Sequence, residues 1–225
     1  MKTSRYLAFD LGAESGRALI GDFQDDRLLF NELSRFPNGM ITVRGHLHWN
    51  IFTLFEHIKE GLKTYTKQSD HPPQSVGIDT WGVDFGLLAG DGSILGLPYG
   101  YRDRRTEGAM ESFFRKIPRD RIYELTGIQF LPLNTLFQLE SMVRDESPLL
   151  TIATDLLFMP DLMHYLLTGI KITEFSFATT SQLYNPVKGD WEDELFSALD
   201  LPRTLMQPIV MPGEAIGGPA SVQLL

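Results

Sequence analysis

A chain of 225 residues, 43% hydrophobic and 22% charged, has the composition of an ordinary folded protein long enough to bury a substantial core. A formal charge of -9 argues against a surface built to neutralise a nucleic-acid backbone, and the absence of cysteine excludes disulfides and thiolate metal sites and fits a reducing compartment. No stretch approaches a membrane span, and Met1 to Arg5 leads into a strand without an apolar signal-peptide core, so the expected location is the cytoplasm.

The elements follow in chain order. Tyr6 to Phe23 reads as two strands joined by a small polar turn, and Arg27 to Phe36 as a third, so a meander of three antiparallel strands opens the domain. Ile51, Leu54, Phe55, Ile58 and Leu62 recur at helical spacing within 51–67, behind Asn50 as N-cap. A short strand over 75–80, a break at Trp81-Gly82 and a strand over 83–88 follow, turned by Gly90-Asp91-Gly92. From there helices are predicted over 106–116, 119–125, 133–144, 161–167 and 191–199, with a buried strand over 153–159 and Gly169 as a stop. The order β-β-β-α-β followed by helices predicts an α/β domain with a mixed sheet and a helical insertion. The stretch from Met211 to Leu225 is rich in Gly and Pro; it reads as a chain cut short or, equally, as a frayed tail.

Three segments offer chemistry. The turn Gly12-Ala13-Glu14-Ser15-Gly16-Arg17 can expose backbone N–H groups to an anion, and Asp10 at the end of the first strand suits a Mg²⁺ held by one carboxylate and nucleotide phosphates. It reads equally as an ordinary tight hairpin. Gly77 to Phe85 places Asp79 and Asp84 within six residues, beside Trp81 as an aromatic wall for a polyhydroxylated ligand and Gly82 as a point of close backbone approach; the alternative is a core tryptophan with turn-capping aspartates. Tyr99 to Arg105 brings Arg102, Arg104 and Arg105 together with Asp103, suited to bidentate recognition or to a solvated helix start. Asp161, after Met159-Pro160, is expected to cap a helix.

Other signatures are missing. The glycine spacing is wrong for a P-loop and no G-x-G-x-x-G follows a strand. None of the five histidines, His46, His48, His57, His71 and His164, forms an H-E-x-x-H pair. His46 and His48 alternate along a segment ending in Trp49, which can put both on one strand face; two ligands without a third make no site, so an exposed strand face is the expected reading. What remains is carboxylate and magnesium chemistry, as in phosphoryl transfer to an alcohol.

Taken together, these segments resemble the FGGY carbohydrate kinases, and among them the rhamnulokinase branch. The resemblance rests on Phe9-Asp10-Leu11-Gly12-Ala13-Glu14-Ser15-Gly16-Arg17, on Ile78-Asp79-Thr80-Trp81-Gly82-Val83-Asp84-Phe85, on Tyr101-Arg102-Asp103-Arg104-Arg105-Thr106 and on the block from Thr126 to Thr135. Met159-Pro160-Asp161, the block from Ala178 to Leu183 and Pro212-Gly213 extend it over nearly the whole chain. It implies an actin-like (ribonuclease H-like) fold and transfer of the γ-phosphoryl group of MgATP to a ketose, L-rhamnulose giving L-rhamnulose 1-phosphate. By the same resemblance, Asp10 assists the metal, Ala13, Glu14, Ser15, Gly16 and Arg17 line the ATP phosphates, and Gly82 touches the sugar. Trp81, Asp84, Arg102 and Asp103 fall on the sugar side.

The family's general base is an aspartate beyond the Pro-Gly motif, and its second domain supplies the adenine site. Residues 1–225 are therefore expected to form an amino-terminal, sugar-binding lobe that lacks the base and has little activity alone, with an interlobe face free for self-association. The competing readings are a sugar-binding lobe without catalysis, a kinase for another ketose such as xylulose or fuculose, and an ATPase of the chaperone or actin kind.

Overall fold

The structure, a computed structural model, describes residues 4–218. The tail segment Val222 to Leu225 lies outside them. Strands β1 (Ser4–Leu11), β2 (Ser15–Gln24) and β3 (Arg27–Pro37) form the expected meander. Asp25 and Asp26, both at positive φ, make its second turn, a conformation short polar side chains tolerate. β4 (Met40–Val43) and β5 (His46–Trp49) form a separate hairpin, and α1 (Ile51–Gln68) follows, with the Asn50 side chain accepting from the Thr53 amide as its cap. β6 (Val76–Thr80) then lies parallel to β1, Asp10 opposite Asp79, and completes a mixed sheet of order β3-β2-β1-β6.

The remaining elements build the helical part. β7 (Phe85–Leu88) precedes α2 (Ala109–Phe114), α3 (Arg119–Thr126), α4 (Thr135–Arg144) and α5 (Pro148–Ile152). β8 (Asp155–Phe158) pairs antiparallel with β7 and runs into α6 (Met159–Thr168). β9 (Thr173–Glu174), α7 (Phe175–Thr180), β10 (Tyr184–Asn185), β11 (Asp190–Trp191), α8 (Asp193–Leu199) and β12 (Ile209–Val210) follow.

Two apolar cores result. One packs Leu7, Phe9, Leu11, Ala18 and Ile20 of the sheet against Ile51, Leu54 and Ile58 of α1 and Leu162 and Met163 of α6. The other joins Phe85 and Phe158 to Phe113, Phe137, Trp191 and Phe196. β1, β7 and β8 are buried along alternate or all positions, which is why they are legible as apolar runs.

Several boundaries differ from expectation. The strand predicted over 83–88 starts only at Phe85, because Val83 takes a left-handed conformation at φ 67° that no strand accommodates. The helix predicted over 106–116 is split into a 3-10 turn at 104–106 and α2, with Gly108 left-handed between them. α6 begins at Met159 with Pro160 in its first turn, where the missing N–H costs nothing, so Phe158 holds the N-cap position and Asp161 is no cap. Trp191 leaves the last predicted helix to pair with Tyr184. α5, α7 and the two-residue strands are too short to carry a readable period, and β9 meets its partner β12 only from a distant segment.

Candidate active site

At the carboxyl ends of β1 and β6 the polar residues gather. The turn after β1 is closed by the Gly12 N–H on the Ser15 carbonyl at 2.9 Å and strapped by Asn38, whose side chain donates to the Gly12 carbonyl at 2.7 Å. Among the described residues the amides of Ala13 and Glu14 find no protein acceptor, which leaves two donors at the turn's tip for an anion. Gly16 serves differently: it is buried in β2, and a Cβ there would come within 2.3 Å of the Phe36 ring, so its bareness makes room for the core. Gly12 is the glycine the turn itself needs, since a Cβ would sit 2.9 Å from the Ser15 carbonyl oxygen.

Asp10 ends β1 with a half-exposed carboxylate. Arg17 grips its Oδ2 through Nε at 2.8 Å and Nη2 at 2.7 Å, leaving Oδ1 open. Asp79 on the neighbouring strand is held above the usual carboxylate range by desolvation, with the charges of Asp10 and Glu174 adding to the rise against the Thr80 amide. No group of three metal-ligating side chains exists among the described residues. One open carboxylate oxygen beside free amides does fit a Mg²⁺ whose other ligands are phosphates and water, because that ion dehydrates reluctantly and takes few protein ligands. Asp10 is the residue that would hold it.

The loop after β6 is built around Asp84, which is fully buried. Its Oδ2 accepts the indole N–H of Trp49 at 2.6 Å, that of Trp81 at 3.0 Å and the Tyr101 amide at 3.1 Å; Oδ1 accepts Gln138 Nε2 at 2.9 Å. Burial pushes this carboxyl up to about 6 against the pull of those four donors. Trp81 stacks on Trp49 with ring centroids 3.9 Å apart. Asp84 therefore presents no oxygen to a ligand and instead locks Trp81, Trp49 and Tyr101 into one wall. Gly82 follows Trp81 facing α7: a Cβ there would lie 3.5 Å from Thr180 Oγ1.

The arginine segment divides. Arg102 is exposed, without a hydrogen-bond partner among the described residues, and lies over the Tyr101 ring at 5.4 Å. Asp103 is buried; burial alone would raise it, but the Leu47 and Arg105 amides and His46 outweigh that and hold it below the usual range. Arg105 points inward to the Gln138 carbonyl and Ser141 Oγ, both at 2.8 Å, and burial lowers it to about 10. Among the described residues the segment thus offers two exposed cations without a hydrogen-bond partner, Arg102 over Tyr101 and Arg104 beside it.

One cluster was not anticipated. Asp161 is fully buried, its Oδ1 accepting the Glu174 amide at 3.2 Å and its Oδ2 lacking a partner among the described residues. Thr173 Oγ1, His164 Nδ1 and Glu174 Oε1 are also buried without partners. Burial, with the nearby Glu174 charge, pushes Asp161 up to about 8, while burial lowers His164. Glu174 Oε2 caps α7 by accepting the Ser176 and Phe177 amides at 2.8 and 3.3 Å, so the nest fixes the helix that carries Thr180 beside Gly82. The only sequence signal was an aspartate after Met-Pro, which reads as a cap.

Comparison with known proteins bears on the family and the fold. Residues 5–222 match the FGGY family of carbohydrate kinases, N-terminal domain. The chain is 45% identical over 212 residues to a rhamnulokinase of Bacteroides thetaiotaomicron, covering 94% of this chain and 44% of that protein. It is 39% identical over 219 residues to a rhamnulokinase of Pectobacterium atrosepticum, with 96% and 44% covered. It thus spans under half the length of these relatives. The fold is that of a gluconate kinase from Lactobacillus acidophilus, with a TM-score of 0.87 at 15% identity over 98% of this chain and 44% of that one. A xylulose kinase from the same organism superposes with a TM-score of 0.86 at 15% identity over 98% and 44%. At such identities the likeness concerns the actin-like fold alone.

Proposed function

The chain belongs to the FGGY family of carbohydrate kinases, and from that membership we propose that residues 1–225 form the sugar-binding lobe of a rhamnulokinase, a cytoplasmic enzyme acting on L-rhamnulose and MgATP. The observation that carries this reading is the convergence, at one end of the parallel pair β1 and β6, of the Asp10–Arg17 pair with its open turn and of the Gly82–Thr180 wall. L-rhamnulose is preferred over xylulose or fuculose because the 39–45% identities are to rhamnulokinases, whereas the xylulose kinase likeness rests on fold.

In the reaction the bond from the γ-phosphorus of ATP to its bridging oxygen breaks and a bond from phosphorus to the ketose 1-hydroxyl forms, that hydroxyl's proton passing to a general base. Magnesium, when bound, neutralises charge on the phosphates. The Ala13 and Glu14 amides hold phosphate oxygens, Arg17 orients Asp10, and the Trp49–Trp81–Tyr101 wall gives the sugar an apolar face that excludes water. Arg102 donates to sugar hydroxyls from the rim. Asp84 and Asp103 act as positioning residues, since both carboxylates are committed to protein donors. We place the general base and the adenine contacts outside residues 1–225.

The test is ADP release by the purified 225-residue chain with MgATP and a ketose panel, alongside calorimetric binding of L-rhamnulose. Sugar binding without turnover is expected. Full turnover would refute the incomplete-lobe reading, and failure to bind any ketose would refute the sugar-binding one.

Self-association belongs to the same proposal. Phe23, Leu28 and Phe30 leave exposed apolar side chains on one face of β2 and β3.

A further inference from the structure

The geometry points to a transition-metal site on the β4–β5 hairpin, with Nε2 of His46 and Nε2 of His48 as its protein ligands and copper(II) as its tightest-binding ion. The pleat of β5 places both rings on one strand face, their centroids 6.5 Å apart with planes at 73°. In each ring the other nitrogen is already engaged. His46 Nδ1 lies 3.1 Å from Asp103 Oδ1, and His48 Nδ1 lies 3.1 Å from the Leu97 carbonyl oxygen. Both partners only accept, so each Nδ1 carries the proton and each Nε2 keeps its lone pair, with no protein partner among the described residues.

A carboxylate or carbonyl behind each histidine is the outer shell that orients a metal-binding imidazole and raises its basicity. The shell is rigid here. Asp103 is itself pinned by the Leu47 amide at 2.7 Å and the Arg105 amide at 3.0 Å, and the Tyr99 ring packs 4.4 Å from His48 and 5.6 Å from His46. Metal–nitrogen bonds of about 2.0–2.1 Å bring two imidazole centroids to roughly 4.5–6 Å around a shared ion, according to the angle at the ion. The His46 side chain is half-exposed, which leaves its ring room to turn toward such an ion.

Two neutral nitrogens select imidazole-seeking ions, in the order copper(II) above nickel(II) and zinc(II), and discriminate against the oxygen-seeking Mg²⁺ and Ca²⁺. Among the described residues no third histidine or carboxylate completes a closed cage, so the ion keeps water ligands and exchanges readily. The site is separate from Asp10 and stands whether or not the chain binds sugar.

The experiment is a copper(II) titration of the full 225-residue chain in a non-chelating buffer, read by tryptophan fluorescence. Trp49 adjoins His48, so an ion bound there quenches it. One equivalent is expected, with at least tenfold weaker binding in His46→Asn and in His48→Asn, whose amide N–H₂ stands where Nδ1–H stood and preserves the hairpin's hydrogen bonds. A His57→Asn/His71→Asn variant should bind like the parent. Equal binding by the His46→Asn/His48→Asn double variant, or loss of binding in the His57→Asn/His71→Asn variant, overturns the site. If either hairpin variant fails to fold, electron paramagnetic resonance of the copper-loaded parent decides: coupling to two imidazole nitrogens supports the site and coupling to one or none refutes it.

Discussion

The indole N–H of Trp49 donates to the Asp84 carboxylate at 2.6 Å across a separation of 35 residues, and the Trp81 indole donates to the same oxygen at 3.0 Å. One buried carboxylate thereby holds two aromatic planes in contact, and with them the segment that ends in Gly82.

Asp84→Asn removes one acceptor oxygen from a site with four donors. Either the three donors on Oδ2 or Gln138 on Oδ1 then faces an amide N–H₂. The cheaper orientation strands only the Gln138 donor, and one stranded buried donor costs about 1–3 kcal/mol, which is the expected loss. Urea denaturation checks it, and a loss below about 1 kcal/mol would mean that the network repacks.

Asp161 predicts a pH dependence. Its folded-state value of about 8 lies above that of the unfolded chain, so the folded state binds the proton more tightly. Its contribution to stability is complete below the ordinary aspartate range near 4 and is lost as pH rises toward 8. Asp161→Asn keeps an oxygen for the Glu174 amide and removes the titration. The variant should melt higher than the parent at pH 8, by about 2–4 °C for each kcal/mol recovered, with the difference vanishing near pH 4. A variant that melts lower at pH 8 with an unchanged slope would refute the assignment.

Gly82→Ala separates fold from function. The added methyl would meet Thr180 at ordinary contact distances of 3.5–3.8 Å, so thermal stability should change by less than about 0.5 kcal/mol. Because one methyl at a substrate contact is worth about 1–3 kcal/mol, ketose binding should weaken roughly 10–200-fold. Unchanged calorimetric affinity would remove Gly82 from the sugar site.

Asp10→Asn keeps an oxygen for Arg17 but deletes the charge. An ion pair this exposed contributes about 0–1 kcal/mol, so the melting temperature should hardly move. Nucleotide affinity measured with and without Mg²⁺ should lose its metal dependence, and a variant that retains it places the metal elsewhere.

Leu28→Ser/Phe30→Ser lowers the apolar character of β3, an edge strand, at little cost in core packing. Sedimentation velocity should show weaker self-association than in the parent. A parent that stays monomeric at its solubility limit would end that reading.

How legible the fold was depended on the range of the contacts. The meander, α1 and the Asn50 cap were read from local periodicity because their apolar faces meet a neighbouring surface at regular intervals. The strand over 83–88 and the helix over 106–116 were overextended because apolar patterning is blind to Val83 and Gly108 adopting left-handed backbone. Asp10, Arg17 and Gly82 were nominated as residues of a ligand site, and the structure brings Asp10 and Arg17 into contact.

By itself the sequence determined the class of chain and the three-stranded meander that opens it, since those follow from composition and alternation, while its motifs pointed to the family by resemblance. Only the tertiary structure decided which polar groups face outward. Asp84, Asp103 and Arg105 turn inward, Arg102 stays free, and Asp161 joins a buried nest with Glu174. The reason is that a carboxylate's role depends on whether donors from distant segments surround it, and Trp49, Tyr101 and Gln138 reach Asp84 only once the chain has folded.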